Sequence, residues 1–63
     1  MTFSEAYRTA MDMQVRFGEE APHVAAERAD ACRRKGDADG FDGWNRICAI
    51  LKEFERLDTK TAH

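Results

Sequence analysis

The chain has 63 residues, of which 43% are hydrophobic and 35% charged, and its formal net charge is −2. A chain this short supports a single hydrophobic core, so we expect one domain spanning residues 1–63. The balanced charge argues against a nucleic-acid-binding protein, which needs one face rich in Lys and Arg. No apolar run is long enough to cross a bilayer and no signal segment precedes the first polar residues. We therefore expect a cytoplasmic protein without membrane association.

The first predicted helix spans residues 4–17. Ser4 is a residue type that caps helix N-termini, and Gly18 can adopt the left-handed conformation that ends a helix. The apolar residues between them recur at helical spacing and define one broad inward face. This face consists of Ala6, Ala10, Met13 and Phe17, flanked by Phe3, Tyr7 and Met11.

The second predicted helix spans residues 22–35 and begins at Pro22. Proline suits the first turn of a helix, because its missing N–H would have no partner there. Small residues form the inward seam, and basic residues lie at the C-terminal end, where they complement the helix dipole. The seam is Ala25, Ala29 and Cys32, the basic cluster is Arg33, Arg34 and Lys35, and Gly36 ends the helix.

The third predicted helix spans residues 38–57, with Asp37 as its N-cap. Gly40 and Gly43 each weaken a helix interior by about 0.5–1 kcal/mol relative to Ala, so something should compensate. Three residues apart, they offer a flat strip of backbone against which the small-residue seam of helix two can pack closely. We favour this continuous helix; the alternative is a loose turn over residues 37–41 with the helix starting near Asp42. Residues 59–63 show no periodicity and are predicted to be a frayed tail.

The residues that could carry chemistry do not form a recognisable site. The stretch DADGFD lacks the glycine and the glutamate that a calcium loop needs. Cys32 and Cys48 have neither a CxxC partner nor a closely spaced His pair, so we expect buried free thiols rather than a zinc site or a disulfide. His23 is expected at the surface or near the end of helix two. No nucleophile–base arrangement or phosphate loop is present, and we expect no enzyme activity, no cofactor and no metal.

The third helix has two apolar stripes, and two short companion helices can cover only one of them. The first stripe is Phe41, Trp44, Cys48 and Leu51, and the second is Ile47, Ile50, Phe54 and Leu57. We therefore predict that the second stripe binds a protein partner, the simplest being a second copy in a homodimer. The alternative is that helix one covers this stripe with Phe3, Tyr7 and Met11.

The central two thirds of the chain resembles a group of short domains of unknown function, common in alphaproteobacteria. The members share an HG-xx-AP start, an I-A-E-R segment, a G-D-xx-G turn and a W-xx-I-A-xx-L ending. The corresponding residues here are Gly18, Ala21-Pro22, Ala25-Ala26-Glu27-Arg28, Gly36-Asp37, Gly40, Trp44, Ile47, Cys48 and Leu51. The resemblance implies an all-helical bacterial domain and no particular activity. Smaller side chains at 25, 29 and 32 depart from the group's larger aliphatic residues.

The sequence thus predicts an all-α protein, a compact three-helix bundle. The function that fits best is a non-enzymatic protein–protein interaction module or small regulatory subunit that self-associates through its C-terminal helix. An inhibitor that docks on a larger enzyme would need the same kind of surface. The alternative from another class is a nucleic-acid-associated regulator, which would present a basic patch on helix two. That patch would be Arg28, Arg33, Arg34 and Lys35.

Overall fold

The computed structural model describes the backbone of residues 2–61 and the side chains of residues 2–57. Helix α1 spans Phe3–Phe17, a 3-10 turn spans Gly18–Glu20, α2 spans Ala21–Lys35 and α3 spans Ala38–Thr61. No strand occurs among residues 2–61, and the all-α prediction is confirmed. Because α1, the 3-10 turn and α2 follow one another without a loop, they form one bent helical run against which α3 packs, so the predicted bundle of three separate helices is present only in part.

The N-terminus of α1 lies one residue earlier than predicted, because Thr2 and not Ser4 is the N-cap. Thr2 Oγ1 accepts a hydrogen bond from the Glu5 amide at 3.2 Å, and Glu5 Oε1 accepts one from the Thr2 amide at 2.8 Å. This reciprocal pair is a capping box. It lowers the pKa of Glu5, first through the backbone hydrogen bond from Thr2 and then through the Thr2 hydroxyl.

The other helix ends agree with the sequence-based expectations only in part, because α2 begins at Ala21, one residue before Pro22, and Gly18 is not in the predicted left-handed helical conformation. Gly18 turns the chain out of α1 with φ 57° and ψ −126°, and Gly36 ends α2 in the left-handed conformation, with φ 79°. Asp37 caps α3 by accepting a hydrogen bond from the Gly40 amide at 2.9 Å. The C-terminus of α3 lies at Thr61, four residues beyond the predicted end at Leu57. The predicted frayed tail begins within this helix, and its residues 62 and 63 lie outside the described residues.

The two glycines of α3 lie inside the continuous helix, as predicted. A Cβ atom placed on Gly40 would collide with Oδ2 of the capping residue Asp37 and would lie 2.8 Å from Cys32 Sγ of α2, closer than real side chains approach. Gly43 is buried. The compensation for the weak helix propensity at Gly40 is therefore the close approach of α2 to the first turns of α3.

The core consists mainly of small side chains. Ile47, at 0% exposure, is the largest side chain that is completely buried. Half-buried Val24, Trp44, Ile50 and Phe54 pack around this core. The buried apolar residues are Ala6, Ala10, Met13, Ala21, Ala25, Ala29, Ile47, Cys48 and Leu51. Alanine methyl groups let helix axes approach closely, but each contributes little buried area, so the stability of the domain depends strongly on the few large core residues.

Helix α3 determines the shape of the molecule, which measures 42 × 21 × 17 Å along its principal axes. Its 24 residues compare with 15 in each of α1 and α2. At 1.5 Å per residue, α3 is about 36 Å long and the other two are about 22 Å each. The surplus length of α3 leaves part of its surface without a helix of the same chain beside it.

Candidate interaction surface

An open apolar groove of about 530 Å³ runs between the start of α1 and the second half of α3. Its apolar walls come from both helices, and of the described residues that line it only Arg46 and Glu53 are charged. We call this surface the apolar groove. Its apolar lining residues are Phe3, Tyr7, Ala49, Ile50, Phe54 and Leu57.

Aromatic contacts hold α1 against α3 at one side of the apolar groove. The rings of Tyr7 and Phe54 meet edge to face with centroids 5.4 Å apart, a geometry favoured by the ring quadrupoles. Phe3 lies next to Tyr7, with ring centroids 6.1 Å apart. Phe3 nevertheless remains 63% exposed and Tyr7 42% exposed. Solvent therefore reaches much of this aromatic wall.

The four residues predicted to bind a partner do not share one surface. Ile47 is completely buried, so its expected place on the exposed stripe is wrong. Ile50 and Phe54 are half-buried, and Leu57 is 54% exposed. The reason is that Ile47 continues the line of Gly43 and Leu51 at four-residue spacing, and this line faces the core. The apolar groove retains Ile50, Phe54 and Leu57 and gains Phe3 and Tyr7.

The predicted cover by helix one is present only in part. Tyr7 packs on Phe54, whereas Met11 is 50% exposed. Phe3 and Tyr7 were predicted to cover the second stripe, and the structure places them in the wall of a groove instead. Their four-residue spacing could have indicated a shared wall, because residues four apart lie on the same side of a helix.

The basic residues of α2 are largely engaged within the chain. Arg33 and Arg34 both contact Asp30, with N–O distances of 2.6 and 2.7 Å. The Arg33 hydrogen bond and the charge of Arg34 lower the pKa of Asp30. The Arg28 guanidinium lies over Trp44 and Phe17, 5.1 and 6.0 Å from the ring centroids. Asp30 therefore offsets part of the positive charge of Arg33 and Arg34, whereas Arg28 keeps its charge and packs on the two rings.

The cysteines and histidine lie apart from one another. Cys48 is buried and its thiol donates to the Pro22 carbonyl oxygen at 3.6 Å, whereas Cys32 is half-buried against Gly40; both are free thiols. His23 is exposed, and its Nε2 lies 3.7 Å from Glu27 Oε1. Within the described part of the chain, no three His, Cys, Asp or Glu side chains are grouped as a metal site requires. The described helices also include none with the length and apolar character needed to span a membrane.

Comparison of the chain with models of protein families, with curated protein sequences and with solved structures found no match. The resemblance to short alphaproteobacterial domains therefore remains a prediction.

Proposed function

We propose that this protein is a non-enzymatic protein–protein interaction module, or small regulatory subunit, whose contact surface is the apolar groove. The observation that carries this proposal is the cluster of solvent-exposed aromatic and aliphatic side chains on two neighbouring helices. Phe3 and Leu57 are each more than half exposed. Single exposed apolar residues are common on soluble proteins, but a contiguous apolar surface is typical of an interaction site.

The composition of the apolar groove favours a macromolecular partner. Aromatic residues are enriched in the centres of protein interfaces, because they bury a large area at a small cost in side-chain entropy. The charged residues Arg46 and Glu53 fit the polar rim that commonly surrounds such a centre. Catalysis would require a positioned base, nucleophile or metal, and the lining residues offer only these two charges and the Tyr7 hydroxyl.

Site-specific photo-crosslinking in the source cell tests this proposal. The photoreactive amino acid p-benzoylphenylalanine would replace Leu57 in the apolar groove in one variant and Val15 in another. Val15 makes a matched control, because it is an apolar α1 residue outside the groove and is 86% exposed. Random collisions would label position 15 at least as strongly as position 57.

We expect crosslinks from position 57 to one defined protein, identified by mass spectrometry, and none of that product from position 15. Leu57→Glu should abolish the same association in a pull-down, and Val15→Glu should preserve it. Equal labelling from both positions, or an association that survives Leu57→Glu, would contradict an interaction function for the apolar groove.

A further inference from the structure

We propose that the partner seated in the apolar groove is a second copy of this chain, related by a two-fold axis that crosses α3 between Ala49 and Ile50. The two α3 helices would lie antiparallel, with each apolar groove covered by the α3 surface of the other copy. This inference rests on the proposed interaction function. It adds the identity of the partner and the register of the contact.

Charge complementarity along α3 selects the antiparallel arrangement. Arg46 and Glu53 both line the apolar groove and are seven residues apart, about 10 Å along the helix axis. An axis midway between them places Arg46 of each copy opposite Glu53 of the other, which forms two equivalent ion pairs. A parallel arrangement in register would place Arg46 opposite Arg46 and Glu53 opposite Glu53, and like charges repel.

Both charged side chains are available for such a contact. Arg46 is exposed and has no carboxylate partner within ion-pair distance among the described residues. Glu53 pairs with Arg56 at 2.7 Å on the same helix, but the two side chains are 58% and 76% exposed. An ion pair this exposed is weak in water, so Glu53 can exchange it for one in an interface.

The middle of the proposed contact is suited to close packing. Ala49 lies on the axis side of the apolar groove and is exposed, and a small side chain there lets two helix backbones approach. In the antiparallel register, Ala49 faces Ile50 of the other copy, so a small residue receives a large one. Beyond this centre the register places Leu57 opposite Asp42 of the other copy, so the close apolar contact is confined to the region of the axis.

The size of the contact sets the expected affinity. The stretch from Arg46 to Leu57 is about 16 Å long, which is short for an interface of the usual 800 Å² or so per partner. We therefore expect a dissociation constant on the order of tens to hundreds of micromolar, typical of the small, weak class of contacts. Because surface charges are screened by salt, the dimer should weaken as ionic strength rises.

A charge-reversal cycle tests the proposal by sedimentation equilibrium at low ionic strength. The variants are Arg46→Glu, Glu53→Arg and the double variant, with Lys52→Glu as control. Lys52 is an exposed residue of α3 that does not line the apolar groove, and its reversal changes the net charge by the same amount as Arg46→Glu. All three positions are exposed, and circular dichroism checks that each variant remains folded.

We expect the wild type to dimerise, each groove variant to dimerise at least about tenfold more weakly, and the double variant to recover to within about threefold of the wild type. The control should match the wild type. Failure of the double variant to recover, or equal weakening by Lys52→Glu, would overturn the antiparallel pairing. A wild type that stays monomeric at about 1 mM would overturn the dimer itself. In that case, crosslinks from position 57 to a different protein would leave the proposed function standing.

Discussion

Replacing Ile47 and Ile50 separately by valine distinguishes the core from the apolar groove. The two residues are three positions apart, and Ile47 is completely buried whereas Ile50 is half-buried beside the groove. Removing one methylene from a packed core costs about 0.5–1.5 kcal/mol. The same change at a partly exposed position should cost roughly 0.5 kcal/mol or less. Ile47→Val should therefore lower the free energy of unfolding two- to threefold more than Ile50→Val.

The expected loss of free energy of unfolding at Ile47 is large relative to the total stability of so small a domain. At about 0.05–0.15 kcal/mol per residue, a chain of this length has a free energy of unfolding of roughly 3–9 kcal/mol. A loss of 1 kcal/mol shifts the melting temperature of a domain this small by about 4–8 °C. Ile47→Ala, which costs about 2–5 kcal/mol, should remove a large part of this free energy of unfolding.

Urea denaturation followed by circular dichroism measures these differences. The protein concentration should lie well below that at which copies associate, because a partner over the apolar groove would raise the cost at Ile50. Equal midpoints for the two valine variants, or a larger loss at Ile50, would refute the assignment of Ile47 to the core and Ile50 to the groove.

Three further predictions concern single contacts. Arg28→Ala should lower the melting temperature because the guanidinium packs on Phe17 and Trp44, and Arg28→Lys should recover only part of the loss, since an ammonium lacks the planar face. Gly40→Ala should destabilise the protein, because its Cβ atom would collide with Cys32 Sγ and with the capping carboxylate of Asp37, and the loss should be smaller in a Cys32→Ala background, where only the Asp37 contact remains; equal losses in urea denaturation would contradict the contact with Cys32. The lowered pKa of Glu5 means that its stabilising contribution is present above the ordinary value of 4.5 and is lost as pH falls through the folded pKa. The acid limb of a helicity titration should therefore be shallower in Glu5→Gln than in the wild type.

The helix limits were largely predictable because the signals that set them are local. The glycine at 36 followed by the aspartate at 37 marks the end of one helix and the start of the next within two residues. The start of α1 was also encoded, although the prediction chose Ser4. A capping box needs Glu or Gln three residues after the cap, which Thr2 has in Glu5 and Ser4 lacks, since Tyr7 follows it.

The position of the apolar groove was not predictable in the same way, because it depends on how α1 meets α3. Three residues of helix leave Ile47 and Ile50 only about 60° apart around the axis. Hydrophobic periodicity does not resolve this angle when both neighbours are apolar. The bend after α1 decides whether Ile47 or Ile50 faces the core. The geometry of that bend depends on how the helices pack, and local sequence patterns do not indicate it.

The corner at Gly18 makes the whole tertiary arrangement depend on a residue without a side chain. Its φ of 57° with ψ of −126° is a conformation reserved for glycine. If this one residue relaxed to helical angles, the corner would open and residues 3–35 would become one extended helical run about 50 Å long, kinked at Pro22. The N-terminal arm would then leave its own core and could dock into that of a neighbour, the exchange known as domain swapping.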